Sequence, residues 1–112
     1  MPLQTNQIGP NLIVYLDGNI DLSQSVLIET ELLKLIEQHS SKNLILDFTQ
    51  VSAMSSSGVR VLVLLRRTLK ETKQKLALCN LGAPVLRIIK LLELDGRFEI
   101  FNSQEDALRA HE

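Results

Sequence analysis

A chain of 112 residues, 45% apolar and 22% charged, has room for one domain around one hydrophobic core. A formal net charge of −1 and an aromatic content of 4% with no Trp exclude the basic footprint and the stacking platforms by which nucleic acids are bound. No apolar stretch approaches the ~18 to 20 residues of a membrane span, and Met1-Pro2-Leu3-Gln4-Thr5 lacks a basic segment running into an apolar one, so a cytoplasmic protein is expected.

Leu3 to Ile8 and Leu12 to Leu16 flank the turn signal Gly9-Pro10-Asn11 and read as an opening hairpin. Asp17-Gly18-Asn19 is a second turn cluster. Ser23 or Ser25 is then placed to cap a helix reaching about His39, with Val26, Leu32, Leu33, Leu35 and Ile36 as its apolar stripe. Leu44 to Phe48 alternates little, as a strand covered on both faces does. After Ser55-Ser56-Ser57-Gly58, a helix over Val59 to Lys73 carries Val59, Leu62, Val63, Leu65 and Leu69, with Val61 and Leu64 extending its apolar surface. Lys75 to Asn80 alternates large and small apolar residues, so its two faces meet different neighbours. This strand holds the single Cys79, read as a buried thiol. Strand, helix and strand in this order imply parallel pairing. Pro84 opens a short helix through Leu92, Asp95-Gly96 turns, Phe98 to Phe101 is a brief strand, and Ser103 with Asp106 caps a last helix. Residues 1–112 therefore read as one α/β domain, a mixed sheet of about four to five strands packed with about four helices.

Catalytic constellations are missing. His39 falls at a helix end beside Ser40, Ser41 and Lys42, and His111 is penultimate and expected to fray. Nothing in the spacing brings either to the serines. One Cys and two distant His supply no metal-ligand cluster, and no phosphate-binding glycine loop is present. Arg66, Arg67, Lys70, Lys73 and Lys75 read as a solvated helix face before they read as an anion site. The chain is expected to bind rather than catalyse, with no cofactor.

Two acceptors of a phosphoryl group remain. Asp47 at a strand end could take one, but the chain offers only the separated Asp17 and Asp21 to hold Mg²⁺, and an anchoring role is the simpler reading. A serine of the 55–57 block lies where a helix N-terminus favours negative charge. On position alone a helix cap explains it as well.

The run Asp47-Phe48-Thr49-Gln50-Val51-Ser52-Ala53-Met54-Ser55-Ser56-Ser57-Gly58-Val59 resembles the signature of the bacterial STAS-domain anti-sigma factor antagonists. Asp17-Gly18-Asn19-Ile20-Asp21, Leu78-Cys79-Asn80-Leu81 before Pro84, and Ser103-Gln104-Glu105-Asp106-Ala107-Leu108 resemble three further family segments, in order and at the right separations. The resemblance implies a binding switch. The serine two before the glycine, here Ser56, would be phosphorylated by a partner that is both anti-sigma factor and serine kinase, and a PP2C-type phosphatase would reset it. Ser55 and Ser57 are the other acceptors in the block, and Asn19, Asp21, Ser55, Ser57, Gly58 and Val59 would meet the partner. Two positions depart from the pattern: Ser55 replaces an acid, and Glu93 replaces the glycine that ends the third helix, with Gly96 expected to take over its turn. A STAS subunit of a transport assembly, binding its partner constitutively and without phosphorylation, is the alternative the same resemblance allows.

Overall fold

Helix N-caps and one long central strand set the frame of the computed structural model, which describes residues 3–112; Met1 and Pro2, which open the stretch inspected for a leader, lie outside the described residues. β1 (Gln4–Ile8) and β2 (Asn11–Ile20) form the expected hairpin, turning at Gly9 with φ 57°, a left-handed conformation that favours glycine. β2 does not stop at Leu16. Asp17-Gly18-Asn19 stays in the strand and is used instead as two irregularities against β3 (Asn43–Met54), where the register slips between Tyr15 and Asp17 and again between Gly18 and Asn19. Turn-forming residues inside a strand mark bulges of this kind.

α1 (Leu22–Gln38) is capped by Asp21 rather than by Ser23 or Ser25: the carboxylate accepts the Gln24 N–H at 3.0 Å and the Ser23 hydroxyl at 3.0 Å. Its buried stripe is Ser25, Ile28, Leu32 and Ile36, one i, i+3, i+4 row. Val26, expected in that stripe, is 59% exposed. α2 (Ser56–Glu71) starts three residues earlier than its apolar period suggests and buries Gly58, Val59, Val61, Leu62, Leu65 and Leu69. β4 (Leu76–Cys79), α3 (Ala83–Leu91), a 3₁₀ turn at Asp95–Arg97, β5 (Glu99–Phe101) and α4 (Gln104–Ala110) follow. The sheet order is β1-β2-β3-β4-β5, with β1 antiparallel to β2 and every other pairing parallel.

Alternation along the strands divides the core. Leu12, Val14, Leu16, Leu44, Leu46, Phe48 and Leu78 pack under α1, α2 and α3. The intervening Ile13, Ile45, Ala77 and Cys79 meet Ala107 and Leu108 of α4 on the other face. The two-sided burial read from Leu44 to Phe48 and the two unlike faces of β4 are both realised. Cys79 is a free, fully buried thiol, pushed up to about 12 chiefly by burial and further by the Asp47 charge, so it stays protonated.

The C-terminus departs from expectation in two ways. His111 does not fray: its side chain is buried, and Nδ1 lies 3.0 Å from Asn11 Oδ1 at the start of β2. Glu93 itself adopts φ 59° after α3, while Gly96 keeps an ordinary negative φ, so Gly96 does not take over the turn.

Candidate functional site

Two connections leave the sheet through a single residue each. Asp21 follows Ile20 and caps α1; Ser55 follows Met54 and occupies the cap position of α2. Ile20 pairs with Met54 across the parallel β2–β3 ladder, so two helix N-termini, each with a partial positive charge, stand side by side at the C-terminal end of these strands.

Small hydroxyls tie them together. Ser55 donates to the Ile20 carbonyl through both its N–H, at 2.9 Å, and its Oγ, at 3.2 Å. Ser55 Oγ lies 2.5 Å from Ser57 Oγ, which lies 3.2 Å from Ser25 Oγ, and Ser25 donates to the Asp21 carbonyl at 2.6 Å. Each hydroxyl has one proton to give, so three protons serve four contacts and the long Ser25–Ser57 contact is the weakest. With its Oγ turned towards Ile20 and Ser57, Ser55 accepts no cap bond from the amides of α2. The Gly58 and Val59 amides turn back to the Ser55 carbonyl at 3.0 and 3.2 Å.

Ser56 is different. It is exposed, its hydroxyl makes no hydrogen bond among the described residues, and the first amides of α2 beside it are uncapped. The family resemblance had put Ser56 ahead of Ser55 and Ser57; of the three, Ser56 is the exposed one, and the other two hydroxyls are engaged with each other. Gly58 permits the arrangement. A Cβ there would come within 2.7 Å of Met54 Cγ and 3.1 Å of Ile20 Cγ2, so the start of α2 can settle onto the ends of β2 and β3 only without a side chain.

The remaining site residues fall into two groups. Asn19 and Asp21 are exposed beside the serines. The Asp21 carboxyl is held below its usual range, first by the Gln24 amide and then by the Ser23 hydroxyl. Gly58 and Val59 are buried and form the floor of the site; neither presents a side chain at its surface. Three features escaped sequence reading. Ser25 is a buried bridge between the helices. Leu22 and Leu27, with Val26, are exposed by 59 to 67% on the first turns of α1, Leu27 lining a cleft with Tyr15, Asp17 and Gln50. Arg60 is exposed one turn after Ser56, and its i+4 spacing was the available signal.

Asp47 is an anchor. Oδ1 accepts from Thr49 N at 2.8 Å and Thr49 Oγ1 at 2.5 Å, and Oδ2 accepts from Asn80 Nδ2 at 3.2 Å and Gln104 Nε2 at 3.0 Å. Burial raises its pKa, but these hydrogen bonds, led by Thr49, outweigh it and leave the carboxyl below the usual range. Four donors on two oxygens bind the end of β4 and the start of α4 to β3. His39 ends α1, about 25 Å along the helix from the serines, and His111 bonds Asn11 at the opposite end of β2. Among the described residues no three His, Cys, Asp or Glu side chains are grouped to hold a metal, and no helix is long and apolar enough to cross a membrane.

Comparison with known proteins bears on this architecture. A family model described as the STAS domain matches residues 2–107. BtrV of Bordetella bronchiseptica, named as a candidate anti-sigma factor antagonist, is 27% identical over 110 residues, covering 98% of this chain and 94% of that protein. The crystal structure of an anti-sigma factor antagonist from Mycobacterium paratuberculosis is similar at a TM-score of 0.86 and 25% identity, covering 96% of this chain and 91% of that one. SpoIIAA of Bacillus, an anti-sigma factor antagonist, is similar in its unphosphorylated form at a TM-score of 0.80 and 21% identity, covering 97% and 96% of the two chains. Its phosphorylated form is similar at 0.73 and 20%, covering 98% and 99%.

Proposed function

The chain belongs to the STAS domain family, and on that premise we propose that it is a cytoplasmic anti-sigma factor antagonist whose affinity for its partner is set by phosphorylation of Ser56. The partner is an anti-sigma factor that is also a serine kinase; binding it frees a sigma factor, and a PP2C-type phosphatase restores the unmodified state. One observation carries the reading: of three adjacent serines only Ser56 is exposed and unbonded, at a helix N-terminus whose first amides are open. The names of the relatives point the same way.

The physics of the switch is local. The unmodified hydroxyl enters the partner's nucleotide pocket with little to desolvate, and Leu22 and Val26 on the first turns of α1 offer exposed apolar area to the same partner. Transfer of the γ-phosphoryl group forms a bond from Ser56 Oγ to phosphorus, breaks the bond to the leaving diphosphate, and passes the hydroxyl proton to a base of the kinase. The product carries about −1.5 to −2 charges, which the α2 N-terminus accommodates without refolding. Facing the phosphates of a bound nucleotide, that charge disfavours the complex; a coupling of about 3 kcal/mol corresponds to roughly 150-fold in affinity.

Titration calorimetry against the cognate kinase tests this. Ser56→Ala is expected to bind as the unmodified protein does with or without ATP, and Ser56→Glu to bind more weakly by about tenfold or more. Mass spectrometry after incubation with kinase and ATP should find phosphate on Ser56. Intact binding with no serine phosphorylated would instead assign the chain to constitutive STAS subunits, and phosphate on Ser55 or Ser57 would sink the geometric argument.

A further inference from the structure

At the far end of α2 from Ser56, about 20 Å along the helix, a cleft of about 360 Å³ opens between the last turns of α2, the start of β4 and the 3₁₀ turn before β5. Arg66, Lys70, Lys75 and Arg97 line it over an apolar floor of Leu76 and Phe98. The sequence showed the first three as part of a basic run on one helix face. The fold adds Arg97 from a distant segment and turns a run into a concavity.

None of these four cations has an acidic partner within salt-bridge distance among the described residues; the ion pairs present are Arg109–Asp106 and His111–Glu99. Glu99, the one carboxylate in the lining, approaches His111 Nε2 at 3.7 Å. Complementing the negative C-terminal end of α2 accounts for Lys70 and Lys75. It does not account for Arg66, more than a turn back, or for Arg97 on another element. A chain of net charge −1 that gathers four unpaired cations around one hollow repels itself there until an anion enters.

We propose that this cleft binds a small polyanion of the phosphate class. Its volume lies at the small end of ligand sites, and two guanidiniums and two ammoniums supply both the forked and the point-charge donors that phosphate oxygens accept. The site is independent of the serine edge and of the switch argued there.

Calorimetry at low salt with sodium tripolyphosphate as the probe tests the inference. Saturable binding is expected, weakened about tenfold or more in the Lys70→Gln, Arg97→Gln double variant. The Arg67→Gln, Lys73→Gln pair removes the same charge from residues outside the cleft and should change affinity by no more than about twofold. All four side chains are exposed, and circular dichroism should show both variants folded. Tighter binding of ATP than of tripolyphosphate would make the ligand a nucleotide, and equal binding a bare polyphosphate; either supports the site. An absence of saturable heat up to about 5 mM probe, or equal weakening in both pairs, would overturn it.

Discussion

Ser56 and Arg60 stand one helical turn apart and both are exposed. Long side chains on a helix lean back towards its N-terminus, which puts Ser56 within the reach of Arg60. The residue before Ser56, the proposed acceptor, is Ser55 where the family pattern has an acid, so no carboxylate adjoins it in sequence. A phosphate on Ser56 meets a cation as well as the open amides of α2, and both favour the dianion. Its second pKa should therefore fall below the usual value of about 6. Arg60→Ala should raise it again by about 0.2 to 0.4 unit, the scale of one exposed i, i+4 pair. Phosphorus NMR titration of the phosphorylated chain reads this directly, and identical curves for the two proteins would show that Arg60 makes no such contact.

The elements carrying the site depend on backbone positions that tolerate only certain side chains. Gly58→Ala brings a Cβ within 2.7 Å of Met54 Cγ; overpacking of this kind costs about 1 to 3 kcal/mol, partly offset by the better helix propensity of Ala, worth about 1 kcal/mol. A net loss of about 1 kcal/mol in urea denaturation is expected. Glu93 presents the opposite case, since a non-glycine residue holds a left-handed φ of 59° after α3. Glu93→Gly should stabilise the fold by about 0.5 to 1 kcal/mol, and a loss of stability would mean that the Glu93 side chain makes a contact that outweighs the strain. The Ser103 cap, the hairpin and the βαβ order were legible because each has local chemistry: a hydroxyl before an acid, Gly-Pro at a turn, and a change of apolar period. The far halves of β2 and β3 were not. β4 stops pairing at Asp47↔Cys79, and beyond it β3 has only β2 as a neighbour. Thr49, Gln50 and Ser52 are exposed there while Val51 and Met54 are buried, so the apolar signal thins although the strand continues. For the same reason the site's composition was readable but its geometry was not. Three serines in a row carry no hint of which one turns outward, and that choice depends on the Ile20 carbonyl, which no local pattern places beside Ser55.

Across the whole molecule, α4 closes the second face of the sheet and is held there by two titratable groups. Gln104 at its start donates to Asp47, and His111 at its end bonds Asn11. Burial lowers the His111 pKa, with Glu99 opposing and Lys75 adding to the shift, and Nε2 has no hydrogen-bond partner among the described residues. A base whose folded pKa lies below its unfolded value of about 6.5 takes up more protons when unfolded. Stability is therefore complete above about pH 6.5 and declines as pH falls from there towards the folded pKa. Asp47 and Asp21 act in a lower window: their carboxyls are depressed in the fold, so their contribution persists above about pH 3.9 and is lost as pH falls below it. Urea midpoints should fall in two stages between about pH 7 and pH 3. His111→Asn, which removes the titration, should lower the plateau but flatten the upper stage, and Asp47→Asn should flatten the lower one. With an unchanged slope in His111→Asn between about pH 7 and pH 5, the upper stage would belong to some other group. With the expected flattening, hydrogen exchange in α4 should quicken first on acidification, because protonating His111 at Nε2 places a charge in a buried site at the end of this helix while α1, α2 and α3 keep their own face of the core.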